Sequence, residues 1–251
     1  MDMNTLYNTF NEDNRLNHSN ASSVEYLTTM HYIQKYATPG CRVLELGAGT
    51  GAYSIPLAKL GYQVHAIEPV DRHIALLKKR QKGIDNLIVQ QGNALNLEHY
   101  PDNSFDIVLC MGPYYHVPHD QQPYLIQECK RVCKPKGFLF LACILHDMVV
   151  FSEALYNPNF LLGDEYDAQT CRAKEDPFQF SDIEKVKQIT AQQGFAMVTG
   201  FAADGLSEVV ADKLNAFSPE QFKEWMNYHL HICEKKYMYG CSNHWVYIGQ
   251  K

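Results

Sequence analysis

Residues 43–51 read Val-Leu-Glu-Leu-Gly-Ala-Gly-Thr-Gly, an apolar run that enters a glycine-rich turn. The run has the length of a buried strand, and the glycines permit backbone conformations that other residues avoid. Glu45 breaks this pattern, because a carboxylate in a buried strand costs several kcal/mol unless it is paired. A turn of this kind can hold a dinucleotide, a phosphate group or another ligand, and Glu45 is the residue that can distinguish between them.

The chain around this stretch alternates between short apolar runs and segments of helix length. Strands are predicted at 42–46, 63–68, 87–91, 106–111 and 137–144. Helices are predicted between them at 51–60, 71–81 and 121–132, with a turn at 134–137 before the fifth strand. A strand, a helix and a second strand in this order form a right-handed crossover between parallel strands. The sequence therefore predicts a doubly wound α/β sheet.

The segments outside this alternation divide the chain. A helix is predicted at 23–36, and the regular pattern is lost between 144 and 181. A helix at 181–193, a strand at 195–201, a helix that begins at Ser218-Pro219-Glu220 and a strand at 245–249 follow. The predicted organisation is an N-terminal helical cap, 1–38, and a ligand-binding domain, 39–251, with insertions at about 145–180 and 204–243.

Composition narrows the class of protein. Hydrophobic residues make up 46% of the 251 residues, the formal net charge is −6, and the eight cysteines form no CxxC pair. The longest apolar run, 138–145, is far shorter than the roughly 20 residues that cross a bilayer. The polar N-terminus has no signal-peptide pattern. These features predict a cytoplasmic protein with reduced cysteines, without a membrane segment and with a nucleic-acid partner unlikely; they leave the oligomeric state open.

The glycine-rich turn is compatible with two nucleotide ligands. Residues 47–52 fit a loose dinucleotide pattern, and Glu68 ends the second strand where a ribose-binding acid is expected. NAD and S-adenosylmethionine both suit these features. Glu45 favours S-adenosylmethionine, because the pyrophosphate of NAD would repel its carboxylate whereas the ammonium group of S-adenosylmethionine can pair with it. A structural glutamate bonded to backbone amides is the alternative.

Five motifs occur in a familiar order: VLELGAGTG, HAIEP, QQGNALNL, SFDIVLCMGPYYH and KRVCKPKGFLFLA. Over about residues 40–145 the chain resembles the class I S-adenosylmethionine-dependent methyltransferases, most of all the small-molecule branch that includes quinone-pathway enzymes. The resemblance implies a Rossmann-like, seven-stranded sheet of order 3-2-1-4-5-7-6 with an antiparallel last strand. It also implies methyl transfer from S-adenosylmethionine.

The resemblance assigns cofactor contacts to residues of this sequence. Besides Glu45, these are Gly47, Ala48, Gly49, Glu68, Asn93, Ala94 and Met111. Glu68 is expected to accept hydrogen bonds from both ribose hydroxyls. Asn93 occupies a position where the family usually has Asp, and its neutral side chain is expected to bind the adenine amino group less tightly. Ala94 would donate its backbone N–H to the adenine ring, and Met111 would pack near the sulfonium.

The methyl acceptor is expected above the carboxyl ends of the fourth and fifth strands, where ligands bind in such sheets. His116 and His146 lie there and are candidate bases, because imidazole titrates near neutrality. Tyr115, also a candidate catalytic residue, and Tyr114 can present aromatic faces to the sulfonium or to the acceptor. The alternative is a packed aromatic shelf without proton chemistry.

Other signals are weaker. Gly112 opens a Gly-Pro-Tyr-Tyr run that superficially resembles the Asn/Asp-Pro-Pro-Tyr motif of amine methyltransferases, but glycine lacks the side chain that accepts from the amine. The histidine pairs 116/119 and 229/231 have no evident third ligand, so no metal site is predicted. Arg15 is expected to be solvated, or to reach the carboxylate of the cofactor or of an acidic substrate.

Three functions follow from this sequence. The first is methyl transfer to a small-molecule acceptor by direct displacement. The second is methylation of RNA or protein, and the third is S-adenosylmethionine binding without catalysis. The aromatic-rich insertions suit a roof over a small, partly apolar acceptor, but ordinary packing or a dimer contact would use the same composition.

Overall fold

The structure is a computed structural model that describes residues 3–9, 13 and 15–251. Its strands are β1 (Arg42–Leu46), β2 (Gln63–Glu68), β3 (Leu87–Gln91), β4 (Phe105–Cys110), β5 (Cys133–Leu145), β6 (Tyr166–Asp167), β7 (Arg172–Ala173), β8 (Phe180–Ser181), β9 (Ala196–Ala202) and β10 (His244–Gln250). Its helices are α1 (Met3–Thr9), α2 (Asn20–Tyr36), α3 (Ser54–Lys59), α4 (Asp71–Gln81), α5 (Gln122–Val132), α6 (His146–Tyr156), α7 (Ile183–Gln192), α8 (Ala211–Leu214), α9 (Pro219–Ile232) and α10 (Lys236–Tyr239).

The main sheet has the order β3-β2-β1-β4-β5-β10-β9. Strand β10 runs antiparallel to both of its neighbours, while β1 to β5 are parallel. This is the order 3-2-1-4-5-7-6 with an antiparallel final strand, so the predicted Rossmann-like fold is confirmed. Two additions were not predicted: β8 pairs with the end of β5, and β6 and β7 form a separate hairpin.

Helices cover both faces of the sheet because the central strands are apolar on both sides. Val43 of β1 and Ile107 of β4 belong to one buried cluster, together with Ile33 of α2. Their neighbours Leu44 and Val108 belong to the cluster on the opposite face, against α5. Successive side chains of a strand point to opposite faces, so a continuous apolar run in these strands supplies two cores at once.

Helix α2 joins the N-terminal segment to the rest of the fold. Ser19 caps it, and the side chain of Ser22 returns a bond to the Ser19 backbone, which completes a capping box. Val24 packs against Leu214 and Met226 in a small cluster with α8 and α9. Helix α2 therefore packs on the second insertion, and the treatment of residues 1–38 as a separate cap stays a prediction.

Three local predictions are wrong. Residues 134–137 are not a turn, since β5 begins at Cys133 and continues through them. Lys136 adopts a φ of 66°, and the pairing with β4 shifts register between Phe105 and Ile107, so the strand absorbs the irregularity as a bulge. Helix α6 follows β5 directly, where no pattern was predicted. The first crossover helix is also shorter than predicted, because residues 51–53 form a turn.

Two further observations concern composition. The eight cysteines are free, and six of them are buried. Within the described ranges, each helix is too short or too polar to cross a membrane.

Candidate active site

A cavity of about 220 Å³ opens at the carboxyl edge of β1, β2 and β4. The turn after β1, the ends of β2 and β4, the segment after β3 and the N-terminal segment form its walls. It brings together ten of the predicted site residues: Glu45, Gly47, Ala48, Gly49, Glu68, Asn93, Ala94, Met111, Tyr115 and His116. Residues from four separate strand ends thus meet where parallel sheets bind ligands.

The glycine turn has a backbone that favours glycine. Gly47 has a φ of 70°, and its N–H and that of Ala48 both donate to the Ile67 carbonyl at 2.9 Å. A Cβ atom on Gly47 would lie 3.0 Å from the ring of Pro113, in the segment after β4. The turn therefore packs directly on the wall of the cavity that carries Tyr115 and His116.

This packing gives a first test, in which Gly47→Ala is compared with Gly40→Ala. Gly40 also has a left-handed φ, 75°, but a Cβ there meets nothing within 4 Å. Both variants are expected to lose about 1 kcal/mol of unfolding free energy from backbone strain. Gly47→Ala should lose roughly 1 kcal/mol more and bind S-adenosylmethionine less tightly, because Pro113 must move. Urea unfolding and calorimetric titration measure both, and equal behaviour of the two variants would contradict the packing argument.

Glu68 is buried at the end of β2, and its carboxylate already has protein partners. One oxygen accepts from the Gly49 N–H at 2.7 Å and the other accepts from the Val70 N–H at 2.8 Å. His73 Nδ1 lies 3.6 Å from Oε1. A carboxylate has about four lone-pair sites, so two remain for the ribose hydroxyls of a nucleotide. Glu68 can therefore hold the glycine turn and a ligand together.

Glu45 is also buried, with 2% of its surface exposed. Its Oε2 has no hydrogen-bond partner among the described residues. Burial raises the pKa of Glu45 to about 8, although nearby Ser54 acts in the opposite direction. Ser54 hydrogen-bonds Glu45 through its side chain and its backbone, so the alternative of a structural glutamate is met in part, but Oε2 has no described partner and a cationic ligand group in the cavity would supply one.

The segments after β3 and β4 complete the cofactor side of the cavity. Asn93 is exposed, and its side-chain oxygen accepts from the Leu95 N–H at 2.9 Å. This bond is that of an ordinary Asx turn, and the second lone pair of the oxygen stays available. Ala94 is buried beside it. The Met111 carbonyl accepts from the Tyr115 hydroxyl at 3.0 Å, which fixes the Tyr115 ring at the end of β4.

The opposite wall contains His116 in an aromatic environment. Its ring lies 5.1 Å from that of Phe178 and 4.9 Å from that of Tyr115. Burial lowers the pKa of His116 to about 4, so the imidazole is neutral at physiological pH. Its Nε2 lies 2.7 Å from the hydroxyl of Tyr7 in α1. Sequence reasoning missed Tyr7, which is 109 residues away in the chain and carries no local signal.

His146 does not line this cavity. It begins α6, is buried, and its Nε2 accepts from the Ala173 N–H at 3.2 Å. It lies instead in a second cavity of about 300 Å³ with His119, Glu175 and Lys185. Because α6 starts immediately after β5, the chain turns His146 away from the cofactor cavity, and its placement argues against a catalytic role there. Tyr114 is likewise part of the hydrophobic core and not of the cavity wall.

A charged cluster that the sequence did not reveal lies beside the cavity. Arg15, which lines the cavity, is not simply solvated: its Nη1 lies 2.8 Å from Glu25 Oε2. His244 Nδ1 lies 3.5 Å from the same oxygen and 3.4 Å from Asp204 Oδ2. The rings of His244 and Tyr115 are 6.0 Å apart. Burial opposes the charge on His244, but Glu25 and Asp204 outweigh it and raise its pKa.

The strand order of the sheet and its glycine-rich turn resemble those of class I methyltransferases. Residues 43–137 match the family model of a methyltransferase domain. The chain is 32% identical to the ubiquinone biosynthesis O-methyltransferase of Shewanella sp. (strain ANA-3), over 49% of this chain and 52% of that protein. It is 33% identical to the enzyme of that name from Xanthomonas campestris pv. campestris (strain B100), over 51% and 53%. The predicted resemblance to the superfamily is confirmed.

The likeness to solved structures covers more of the chain. A protein from Pyrococcus horikoshii OT3 has a TM-score of 0.64 at 15% identity, over 99% of both chains. An S-adenosylmethionine-dependent methyltransferase from Thermotoga maritima, described as a possible histamine N-methyltransferase, has a TM-score of 0.57 at 20% identity, over 91% and 92%. At these identities the likeness shows the fold. The chain spans about half the length of the curated relatives that it matches.

Proposed function

We propose that this protein is an S-adenosylmethionine-dependent methyltransferase that acts on a small-molecule acceptor. The observation that carries the proposal is Glu45, whose buried carboxylate has an unpartnered oxygen in the cavity that Glu68 also lines. Glu45 is mostly protonated in the empty cavity at neutral pH; the ammonium of the methionine portion would pair with its ionised form, whereas a phosphate-bearing ligand offers no cation to do so. The residues that line the cavity therefore fit S-adenosylmethionine better than NAD.

The residues have separate roles in this proposal. Gly47, Ala48 and Gly49 would contact the methionine portion, and Glu68 would hold the ribose. Asn93 and Ala94 would contact the adenine, while Met111 packs near the sulfonium. When bound, the cofactor supplies an electrophilic methyl group on sulfur. The chain itself has to align the acceptor and exclude water, and the wall formed by buried Tyr115 and partly buried His116 suits both tasks.

Neutral His116 gives the site a base for an acceptor that still carries a proton. The hydroxyl of Tyr115 is directed to the Met111 carbonyl, so Tyr115 would position the acceptor through its ring. A pKa of about 4 makes His116 a weak base, so the acceptor proton that it could help to remove is an acidic one, such as that of a phenol. The two matched relatives named above are O-methyltransferases, which supports an oxygen acceptor.

Size and charge support a small acceptor in the cytoplasm over a nucleic acid. The cavity is small, and the net charge of −6 gives the whole molecule no general attraction for polyanions. Affinity for RNA that falls steeply with salt would favour the RNA alternative instead.

The direct experiment uses methyl-labelled S-adenosylmethionine and a cell extract. Label is expected in a low-molecular-weight product that mass spectrometry can identify. Label confined to RNA or protein fractions would reject the small-molecule acceptor, and saturable cofactor binding without any labelled product would favour a non-catalytic protein. Calorimetric titration should show binding of S-adenosylmethionine or S-adenosylhomocysteine and no binding of NAD.

The role of His116 can be tested once an acceptor is known. His116→Gln is expected to lower kcat roughly 100-fold, the usual contribution of a positioned base, and to change cofactor affinity little. His99→Gln alters an exposed histidine away from the cavity and is the matched control. Steady-state kinetics and calorimetry measure the two quantities. Unchanged kcat in the His116 variant would show that the residue belongs to an aromatic shelf without proton chemistry.

A further inference from the structure

The cluster of Glu25, Asp204 and His244 is assembled from three distant parts of the chain. Glu25 lies in the second turn of α2, Asp204 follows β9, and His244 begins β10. One ligand atom from each residue lies within 4.8 Å of the other two. Glu25 is buried and the other two are partly exposed.

Two of the three ligand-atom distances have the size found in a metal coordination shell, and the third is within 4.8 Å. Zinc binds imidazole nitrogen and carboxylate oxygen at about 2.1 Å, so two ligands of a tetrahedral site lie about 3.4 Å apart. His244 Nδ1 lies 3.4 Å from Asp204 Oδ2 and 3.5 Å from Glu25 Oε2. Imidazole nitrogen and carboxylate oxygen are both ligand types that zinc binds in proteins.

Thr28 and Thr29 follow Glu25 by three and four residues, which places them on the same side of α2. Both residues are fully buried, and the Thr28 hydroxyl has no hydrogen-bond partner among the described residues. The Thr29 hydroxyl bonds to that of Tyr53, whose ring stacks on Tyr26. Polar side chains therefore continue along this side of α2 from Glu25.

We propose that Glu25, Asp204 and His244 form a binding site for one divalent metal ion of the zinc type. Arg15 does not fill it, because its bonds to Glu25 leave lone pairs of that carboxylate free. Ser242 holds the other oxygen of Asp204 and orients it, as outer ligands do in metal sites. Arg15 and Tyr115 both line the cofactor cavity and contact the cluster, so an ion held there would lie beside the acceptor side of the cavity. That last role rests on the proposed function, whereas metal binding does not.

The test is a titration of the full-length, chelator-treated protein with Co²⁺, in the absence of cofactor and acceptor. Tetrahedral Co²⁺ absorbs strongly in the visible, so a band that saturates at one ion per chain and is displaced by Zn²⁺ is expected. His244→Gln and Asp204→Asn should abolish the band. His231→Gln alters an exposed histidine outside the cluster and should keep it.

Two results would overturn the proposal. The first is a wild-type protein without a saturable band, which would mean that His244 serves only as the cation between two carboxylates. The second is a band that persists in both cluster variants. If a variant does not fold, the proposal is judged on the wild-type titration alone. In that case magnetic resonance should show coupling between the bound Co²⁺ and an imidazole nitrogen, and this coupling should disappear when Zn²⁺ displaces the Co²⁺. Cofactor affinity measured on the same samples reports separately on the proposed function.

Discussion

Glu68→Ala is expected to lower the affinity for S-adenosylmethionine roughly 100-fold. The carboxylate would accept two ribose hydroxyls, and hydrogen bonds to a charged group contribute about 1.5 kcal/mol or more each. Their loss, about 3 kcal/mol in total, corresponds to roughly a hundredfold change in the dissociation constant. The variant also releases the N–H groups of Gly49 and Val70, which loosens the glycine turn and adds to the effect. Calorimetric titration at constant pH measures the affinity.

The control for this variant is Glu98→Ala, which removes an exposed carboxylate from the segment after β3. It is expected to leave affinity unchanged. Glu68→Gln retains one acceptor oxygen and should fall between the wild type and Glu68→Ala. Because Glu68 also has a structural role, circular dichroism and urea unfolding have to show that the alanine variant is folded. A folded Glu68→Ala protein with wild-type affinity would show that the ribose does not bind at this residue.

The sequence was most informative where the site residues lie at the end of a strand that is itself evident from the sequence. The run 43–46 is apolar apart from Glu45 and leads into glycines, so strand, turn and cavity wall could be predicted from one stretch. Glu68 could be placed because it follows a strand that was itself evident. The parallel order then brings the ends of β1, β2 and β4 to one edge, and no side-chain detail is needed for that step.

Contacts between distant segments were not predictable in this way. Tyr7 meets His116, and Arg15 meets Glu25 beside His244, only because α1 and α2 fold back over the carboxyl edge of the sheet. No spacing in the sequence records such a contact. His146 shows the opposite error: its position after a strand suggested the cavity, but the immediate start of α6 placed it elsewhere. A direct strand-to-helix junction has no loop residues to signal it.

Glu45 is expected to lower the stability of the ligand-free fold at neutral pH while it favours binding of the cofactor. Its pKa rises from an ordinary value of 4.5 to about 8 on folding, so the folded protein prefers the protonated form. This preference stabilises the fold below pH 4.5, and the benefit is lost as the pH rises toward 8. Each pH unit between the two pKa values lowers the free energy of unfolding by about 1.36 kcal/mol. The wild-type protein therefore loses about 3 kcal/mol of unfolding free energy between low pH and pH 7. A glutamine at this position avoids that loss because it carries no charge at any pH.

The affinity for S-adenosylmethionine is therefore expected to rise with pH, by close to tenfold per unit between about pH 5.5 and pH 7.5. Below a pKa of about 8 the empty protein holds a proton on Glu45, and binding of the ligand's ammonium requires its release. His116, with a pKa of about 4, does not titrate in this range. In Glu45→Gln the slope should disappear and the affinity at pH 7.5 should fall, while the ligand-free variant unfolds at a higher urea concentration than the wild type. A pH slope that survives in this stable variant would mean that Glu45 does not meet the cofactor's ammonium group.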